Sequence, residues 1–286
     1  MVIRDLVEVS RPKHWVKNVF VFMPLPFALA TGAEFDPVVF GLGLLAFCLA
    51  NSAVYAFNDA VDAERDRLHP EKCRRPVASG RLSGYTARLW SLLLLALSVA
   101  VALASGSLAA LGVLLVYVIF NLFYCLGGKH VALLDVFLLS AGFVLRVILG
   151  CALLEVSPSN WLLLCSSALA LFMALAKRRG DLVRGMDTEH RPSLSGYSLE
   201  FLNQAMGITA AMTLIAYALY SLEAPVLVRG REFASLPFVV FGVLEYLRLV
   251  YVRQAGESPV DMLFRPELLL CGAGWLAAII WSVQLP

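Results

Sequence analysis

Charge is what this sequence has least of. Asp, Glu, Lys and Arg make up only 15% of its 286 residues, and 60% are hydrophobic, against roughly 25% and 45–50% in a soluble domain. That balance excludes a water-soluble globule. Patterned cysteine is missing too: the six cysteines include no CxxC pair and no Cys/His cluster, which removes a zinc site and a disulfide framework. Cys48, Cys125, Cys151, Cys165 and Cys271 sit in or beside apolar runs and read as buried filler, while Cys73 lies in a polar loop. Long polar linkers are also absent. Only two connections, about 58–84 and about 178–202, exceed short turns, so no separate soluble domain is expected, and nothing points to nucleic acid.

Long apolar runs are what the sequence has instead. They are about 18 to 22 residues long, the length that crosses a hydrocarbon core of about 30 Å at 1.5 Å per helical residue. Nine lie near 16–31, 36–57, 85–104, 108–126, 131–153, 160–177, 203–222, 234–252 and 267–284. Pro24 and Pro26 interrupt the first, which proline permits where neighbouring helices satisfy the freed carbonyls. A signal-peptide core ending near residues 30–33 is the alternative there, against which stands the long polar stretch before it. All but Arg229 and Arg231 of the 23 Lys and Arg fall to one side of these runs. The positive-inside rule makes that side cytoplasmic, with the N-terminus inside and, for an odd number of spans, the C-terminus outside. The expected fold is an all-α integral membrane protein, nine transmembrane helices around a central cytoplasm-facing cavity, in one domain over residues 1–286.

The two polar loops echo each other. The first carries Arg75-Pro76 and then Leu82-Ser83-Gly84-Tyr85-Thr86; the second carries Arg191-Pro192 and then Leu194-Ser195-Gly196-Tyr197-Ser198. This suggests related halves, about 16–126 and about 131–252, with both loops facing one cavity; chance similarity of a short string is the alternative.

Chemistry concentrates in Asn58-Asp59-Ala60-Val61-Asp62-Ala63-Glu64-Arg65-Asp66. Asp59, Asp62 and Asp66 recur at i, i+3 and i+7 and so share one helical face. Three crowded carboxylates repel unless a cation lies between them, and Mg²⁺ typically keeps substrate phosphate oxygens in its shell. Metal-bridged diphosphate is a better leaving group, because its developing charge is neutralised. A solvated charged turn is the plain alternative. Against it, the acids follow Asn51-Ser52 and an apolar run, and they precede Arg65, Arg67, Lys72, Arg74, Arg75 and Arg81.

The string NDxxDxxxD, followed by His69-Pro70-Glu71-Lys72 and Arg75-Pro76-Val77-Ala78-Ser79-Gly80, resembles the first motif of UbiA-superfamily transferases. Several further strings resemble that superfamily's decaprenyl-phosphate phosphoribosyltransferase branch. They are Arg11-Pro12-Lys13-His14-Trp15-Val16-Lys17-Asn18; Tyr124 and Lys129; Leu134-Asp135-Val136 with Gly142-Phe143 and Leu145-Arg146; and Ala176-Lys177-Arg178-Arg179-Gly180-Asp181-Leu182. The resemblance implies a bacterial plasma-membrane enzyme in which a polyprenyl phosphate attacks ribose C1 of phosphoribosyl pyrophosphate. Mg²⁺-bound pyrophosphate would leave, and the product would serve arabinose donors of the cell envelope. It also makes Asp59, Asp62 and Asp66 the metal-binding catalytic acids and Asp181 the acid of a second motif. Asp187 is six residues beyond Asp181 and departs from the family's DxxxD spacing.

A site holding a diphosphate, a sugar phosphate and a lipid phosphate needs many bases. Lys17, Lys72, Arg75, Lys129, Arg146, Lys177 and Arg178 are the candidates for charge-assisted hydrogen bonds, with Asn58, Tyr124 and Asp135 as further substrate contacts. Arg146 stands within an apolar run, where a base costs at least ~2.5 kcal/mol; its structural alternative is an ion pair with Asp135 at i+11. Lys177, Arg178 and Arg179 are alternatively positive-inside anchors. His69 and His190 are weaker candidates for a general base, since a phosphate monoester is already ionised near neutral pH. Trp15 reads as a headgroup anchor. The sequence gives no chain length for the lipid, and a homo-oligomer stays open. The rival readings are an ordinary UbiA-type prenyltransferase and, from another class, an anion transporter. The second would place its charges near the bilayer midplane.

Overall fold

A computed structural model describes residues 2–69, 71–185, 192–224, 226–252, 262 and 265–283. Asp187, His190, Arg191 and Pro70 lie outside the described residues, as does the end of the chain beyond Val283. The described chain is helical: α1 (Val2–Ser10), α2 (Leu25–Ala30), α3 (Pro37–Val61), α4 (Ala63–Leu68), α5 (Gly84–Ala104), α6 (Leu108–Leu126), α7 (Leu134–Leu153), α8 (Asn160–Val183), α9 (Leu199–Glu223), α10 (Leu236–Val252) and α11 (Pro266–Ser282).

The starts of the long helices follow from local chemistry. The side chains of Asp36, Ser83, Ser107, Ser159 and Ser198 accept hydrogen bonds from the first free amides of α3, α5, α6, α8 and α9. Six helices, α3 and α5 to α9, are long and apolar enough to cross a membrane. Their outward faces carry uncovered apolar side chains such as Leu92, Leu93, Ile119, Ile208 and Ile215, as a multi-pass membrane protein requires.

Among the described residues, length and hydropathy support six crossings; they do not establish the nine expected. The eighth and ninth runs are helical, but α10 and α11 span 17 residues each. The first run is not one helix. It divides into a 3₁₀ segment, Pro12–Phe22, and the six-residue α2. Pro12, Pro24 and Pro26 have no amide hydrogen to donate, and eleven residues is long for 3₁₀ geometry.

Two hydrophobic cores organise the molecule. One gathers Phe40, Phe47, Leu114, Tyr117 and Leu149 from α3, α6 and α7. The other gathers Val136, Phe172, Leu202, Met206, Tyr246 and Leu249 from α7 to α10. Helix α7 feeds both and therefore sets their relation. A third, smaller cluster of Val9, Ala56, Ala60, Val77, Leu82 and Ala87 seals α1 and the first polar loop onto α3 and α5.

The 3₁₀ segment lies directly on α7. A β-carbon added to Gly150 would fall 2.1 Å from the carbonyl oxygen of Val21, so only glycine permits this approach. Gly150→Ala should push the segment away and lower stability by about 1–3 kcal/mol, read as a drop in the thermal unfolding midpoint of the detergent-solubilised protein. An unchanged midpoint would mean that the segment is not held at this point.

Candidate active site

The acidic motif sits where α3 ends. Asp59 is on its last turn, Asp62 caps it, and Asp66 lies on α4. The helical path nearly continues, since the amide of Asp62 bonds to the Asn58 carbonyl and that of Asp66 to the Asp62 carbonyl, each at 2.8 Å. The acids nevertheless divide. Asp59 and Asp66 turn to one guanidinium, Arg75, whose Nη1 lies 3.3 Å from Asp59 and 2.5 Å from Asp66. Asp62 turns to Lys129, whose Nζ is 2.6 Å from both its oxygens and donates to Asn58 Oδ1 at 3.2 Å. Lys72 stands 3.9 Å from Asp66. Its approach is shaped by His69, whose Nδ1 accepts the amides of Glu71 and Lys72; the ring closes a turn there.

Arg11 completes this set, and the sequence reading had not given it a site role. Its Nη2 donates to Asp59 Oδ1 from the junction of α1 and the 3₁₀ segment. Burial pushes its guanidinium below the ordinary value, against the pull of Asp59. Beside it, the His14 ring and the Tyr55 hydroxyl are 3.3 Å apart, and Lys17 Nζ lies 3.5 Å from both. Lys17 makes no ion pair among the described residues. Burial, reinforced by Lys17, Arg11, Lys177 and Arg75, holds the His14 imidazole down at about 4. Trp15 is half-buried, and its indole donates to Ser52 on α3 at 3.0 Å.

Arg146 is buried on α7 and does not pair with Asp135. It donates to Asn18 Oδ1 at 2.9 Å, Asn51 Oδ1 at 2.7 Å and the Gly142 carbonyl at 2.6 Å. Its guanidinium also lies 5.3 to 5.4 Å from the ring centres of Phe47, Tyr117 and Phe143, where the ring faces attract a cation. Tyr117 donates to the same Asn51 oxygen. Asparagines in apolar runs were the sequence signal for this cluster. Tyr124, further along α6, packs against the first core.

Asp135 belongs to a separate buried network. It accepts from Arg178 Nε at 2.5 Å, Ser193 at 2.9 Å and the Tyr197 hydroxyl at 2.6 Å. Arg178 also reaches Asp181 at 3.0 Å, and Arg184 reaches Asp181 at 2.8 Å. Both Asp135 and Arg178 are 0% exposed, so in this state they join α7, α8 and the second polar loop. The Tyr197 hydroxyl receives the amide of Leu133, a residue held at φ 65, and burial with the Asp135 contact pushes its phenol up. Arg179 is engaged elsewhere, with Asn203 and the Val250 carbonyl. The two polar loops thus meet through 128–135: Lys129 serves the first, Asp135 serves the second, and Gly196 packs against Ala132. Their LSGY strings are used differently, since Tyr85 is exposed and Tyr197 buried.

No three His, Cys, Asp or Glu side chains among the described residues stand close enough to share a metal ion. The donor set still fits Mg²⁺. Asp59 is 2% exposed, its Oδ2 has no hydrogen-bond partner, and Mg²⁺ is commonly bound through one or two carboxylates plus substrate phosphates.

The sequence model of the UbiA prenyltransferase family matches residues 18–264. The decaprenyl-phosphate phosphoribosyltransferase of Corynebacterium glutamicum is 31% identical over 98% of this chain and 87% of its own. That of Mycobacterium tuberculosis is 32% identical over 97% and 93%. The solved structure of a UbiA homolog from Archaeoglobus fulgidus bound to DMAPP and Mg²⁺ aligns over 97% of both chains, with a TM-score of 0.74 and 20% identity.

Two outcomes are expected from the site's electrostatics. Asp135→Asn leaves Arg178 buried with Asp181 as its remaining acid, and should lower stability by about 3 kcal/mol in thermal unfolding. Unchanged stability with weakened substrate binding would instead make Asp135 a substrate contact. His14 is held below its ordinary value of 6.5, so the unfolded chain takes up the proton first as pH falls. Stability should therefore decline from about pH 6.5 towards 4 and the loss be complete below that. Subtracting the profile of His14→Gln isolates this decline, and parallel profiles would refute it.

Proposed function

Because this chain belongs to the UbiA prenyltransferase family, we propose that it transfers 5-phosphoribose from phosphoribosyl pyrophosphate to a polyprenyl phosphate. It is an enzyme of that family and a multi-pass membrane protein. The observation that carries the donor assignment is the density of bases around the acids. Arg11, Arg75, Lys72 and Lys129 contact Asp59, Asp62 and Asp66, and Lys17 stands beside them without an acid of its own among the described residues. A diphosphate, a sugar phosphate and a lipid phosphate in one reaction call for this surplus of positive charge. The names of the relatives, at 31% and 32% identity over nearly the whole chain, support the same reading.

In this reading an oxygen of the lipid phosphate attacks ribose C1, and the bond from C1 to the diphosphate oxygen breaks. No general base is needed, because the attacking monoester is already anionic. The protein's contribution is placement and charge. Asp59, whose Oδ2 is open, would hold Mg²⁺ together with the substrate phosphates, with Asp62 and Asp66 of the same motif beside it; the metal when bound neutralises charge on the leaving diphosphate. Arg75 and Lys72 orient the diphosphate from the first polar loop, and Lys129 does so from the turn before α7. Lys17, with Lys177 near the same imidazole, suits a monophosphate. Asp181, Asp135 and Arg178 hold the second polar loop in register. Arg146 spreads positive charge from within the helices without an acid to cancel it. The reading further places this site at the cytoplasmic face of a bacterial plasma membrane, with the product passing to cell-envelope synthesis.

Labelled phosphoribosyl pyrophosphate and polyprenyl phosphate, offered to the purified protein, should move label into the lipid phase with Mg²⁺ and not with chelator. Asp59→Asn and Asp62→Asn should each reduce the rate by at least about a hundredfold while the protein stays folded. Transfer from a prenyl diphosphate to another acceptor, with none from phosphoribosyl pyrophosphate, would keep the acids' role and overturn the donor.

A further inference from the structure

Asp59 is enclosed, and its two oxygens are treated unequally. Oδ1 is shared by Arg11 and Arg75, while Oδ2 is buried without a partner. A buried acceptor left open is costly, so the unfilled side of Asp59 is where a ligand cation has most to offer. The two guanidiniums on the other side differ in how firmly they are committed. Arg75 bridges Asp59 and Asp66 with the same nitrogen; withdrawing it would uncover two acids. Among the described residues Arg11 pairs with Asp59 alone, and its guanidinium carbon lies 5.0 Å from the centre of the Tyr55 ring, a face that accepts a cation whether or not the carboxylate does.

The backbone at Arg11 is also unusual. It is left-handed, φ 48 and ψ 56, a conformation disfavoured for a residue with a β-carbon. Non-glycine residues held this way concentrate at sites where the strain belongs to function. Here the strained residue is the one whose side chain covers the acid, at the junction between α1 and the 3₁₀ segment.

We propose that Arg11 is a displaceable counter-ion: it holds Asp59 while the site is free of ligand, and passes to a phosphate oxygen when a divalent cation and a diphosphate bind together. This rests on the reading of the acids as a divalent-cation and diphosphate site. A cation arriving alone must expel Arg11 with no anion to receive it. A diphosphate arriving alone meets an arginine already taken. Together each removes the other's obstacle, so the two ligands bind cooperatively, and the coupling is reciprocal.

The test measures Mn²⁺ binding to the full-length protein in lipid nanodiscs by electron paramagnetic resonance, with and without inorganic pyrophosphate, corrected for Mn²⁺–pyrophosphate in solution. Asparagine tolerates the left-handed conformation and carries no charge, so Arg11→Asn is the informative variant. Without pyrophosphate it should bind Mn²⁺ several-fold tighter than the wild type; with pyrophosphate it should bind more weakly. The coupling factor should fall by about tenfold. Arg11→Lys, which keeps the charge but loses the two-pronged geometry, should show an intermediate coupling and carries the test if the asparagine variant does not fold.

A shift of the same factor with and without pyrophosphate would mean that Arg11 never leaves Asp59, and would overturn the proposal, as would no shift at all. A wild-type protein binding no Mn²⁺ in either condition would sink the diphosphate site and this inference together. Lost coupling in the variant, alongside failure of the phosphoribosyl transfer assay, would support the counter-ion and reject only the donor.

Discussion

Every buried carboxylate here must find a cation, because an ionised group in a low-dielectric interior is tolerated only when paired. Asp181 and Glu245 find arginines three residues away, but other pairs are long-range in sequence. Asp59 is met by Arg11, Asp62 by Lys129 and Asp135 by Arg178, each partner coming from a different element. Such pairs add little net stability over an apolar replacement, but losing one partner is severe. Their effect is therefore to fix placement. The end of α1, the end of α3, the turn before α7 and the C-terminal end of α8 are positioned by where their charges meet.

Arg146 is the informative exception, because it is a buried base answered by no acid among the described residues. Its partners are two asparagine oxygens, a backbone carbonyl and three aromatic faces. These satisfy its hydrogen-bonding geometry without cancelling its charge. An Asp in place of Asn51 would form a tighter pair and leave the interior neutral. The arrangement chosen keeps a net positive field below the acidic motif, on α7, the helix both cores share. For a protein that handles phosphates this is a useful asymmetry, since fields in an apolar surround reach further than in water.

Periodicity made most of the helices legible, and their serine and aspartate caps fell where the apolar runs begin. The Asp59, Asp62, Asp66 motif was legible too, as three acids on one face after an apolar run. What was not legible depends on packing between elements. The i+11 spacing offered an Arg146–Asp135 ion pair as the structural alternative, but Arg178 on the neighbouring helix reaches Asp135, and no pattern within α7 contains that fact. The Trp15 bond to Ser52 was equally out of view, because its partner is supplied from another helix. The break in the first run was half visible in Pro24 and Pro26, although prolines in a membrane helix permit a kink as well as a break. Arg11 was hidden because nothing in its local string says that its backbone turns left-handed.

These two kinds of placement bear on selectivity. Three carboxylates at a membrane surface would ordinarily gather whatever cations the solution offers. Here Arg11, Arg75, Lys72 and Lys129 already contact them, so a solution cation competes with charges tethered at high effective concentration. An anion alone fares no better, because the bases are held by the acids. Only a ligand that brings both signs can satisfy acids and bases at once, exchanging internal pairs for equivalent external ones with little change in buried charge. A diphosphate carrying its divalent cation has that character. On the proposed reading the internally paired site is a filter for the complete ligand, its specificity residing in the pairing of the protein's own charges before any ligand arrives.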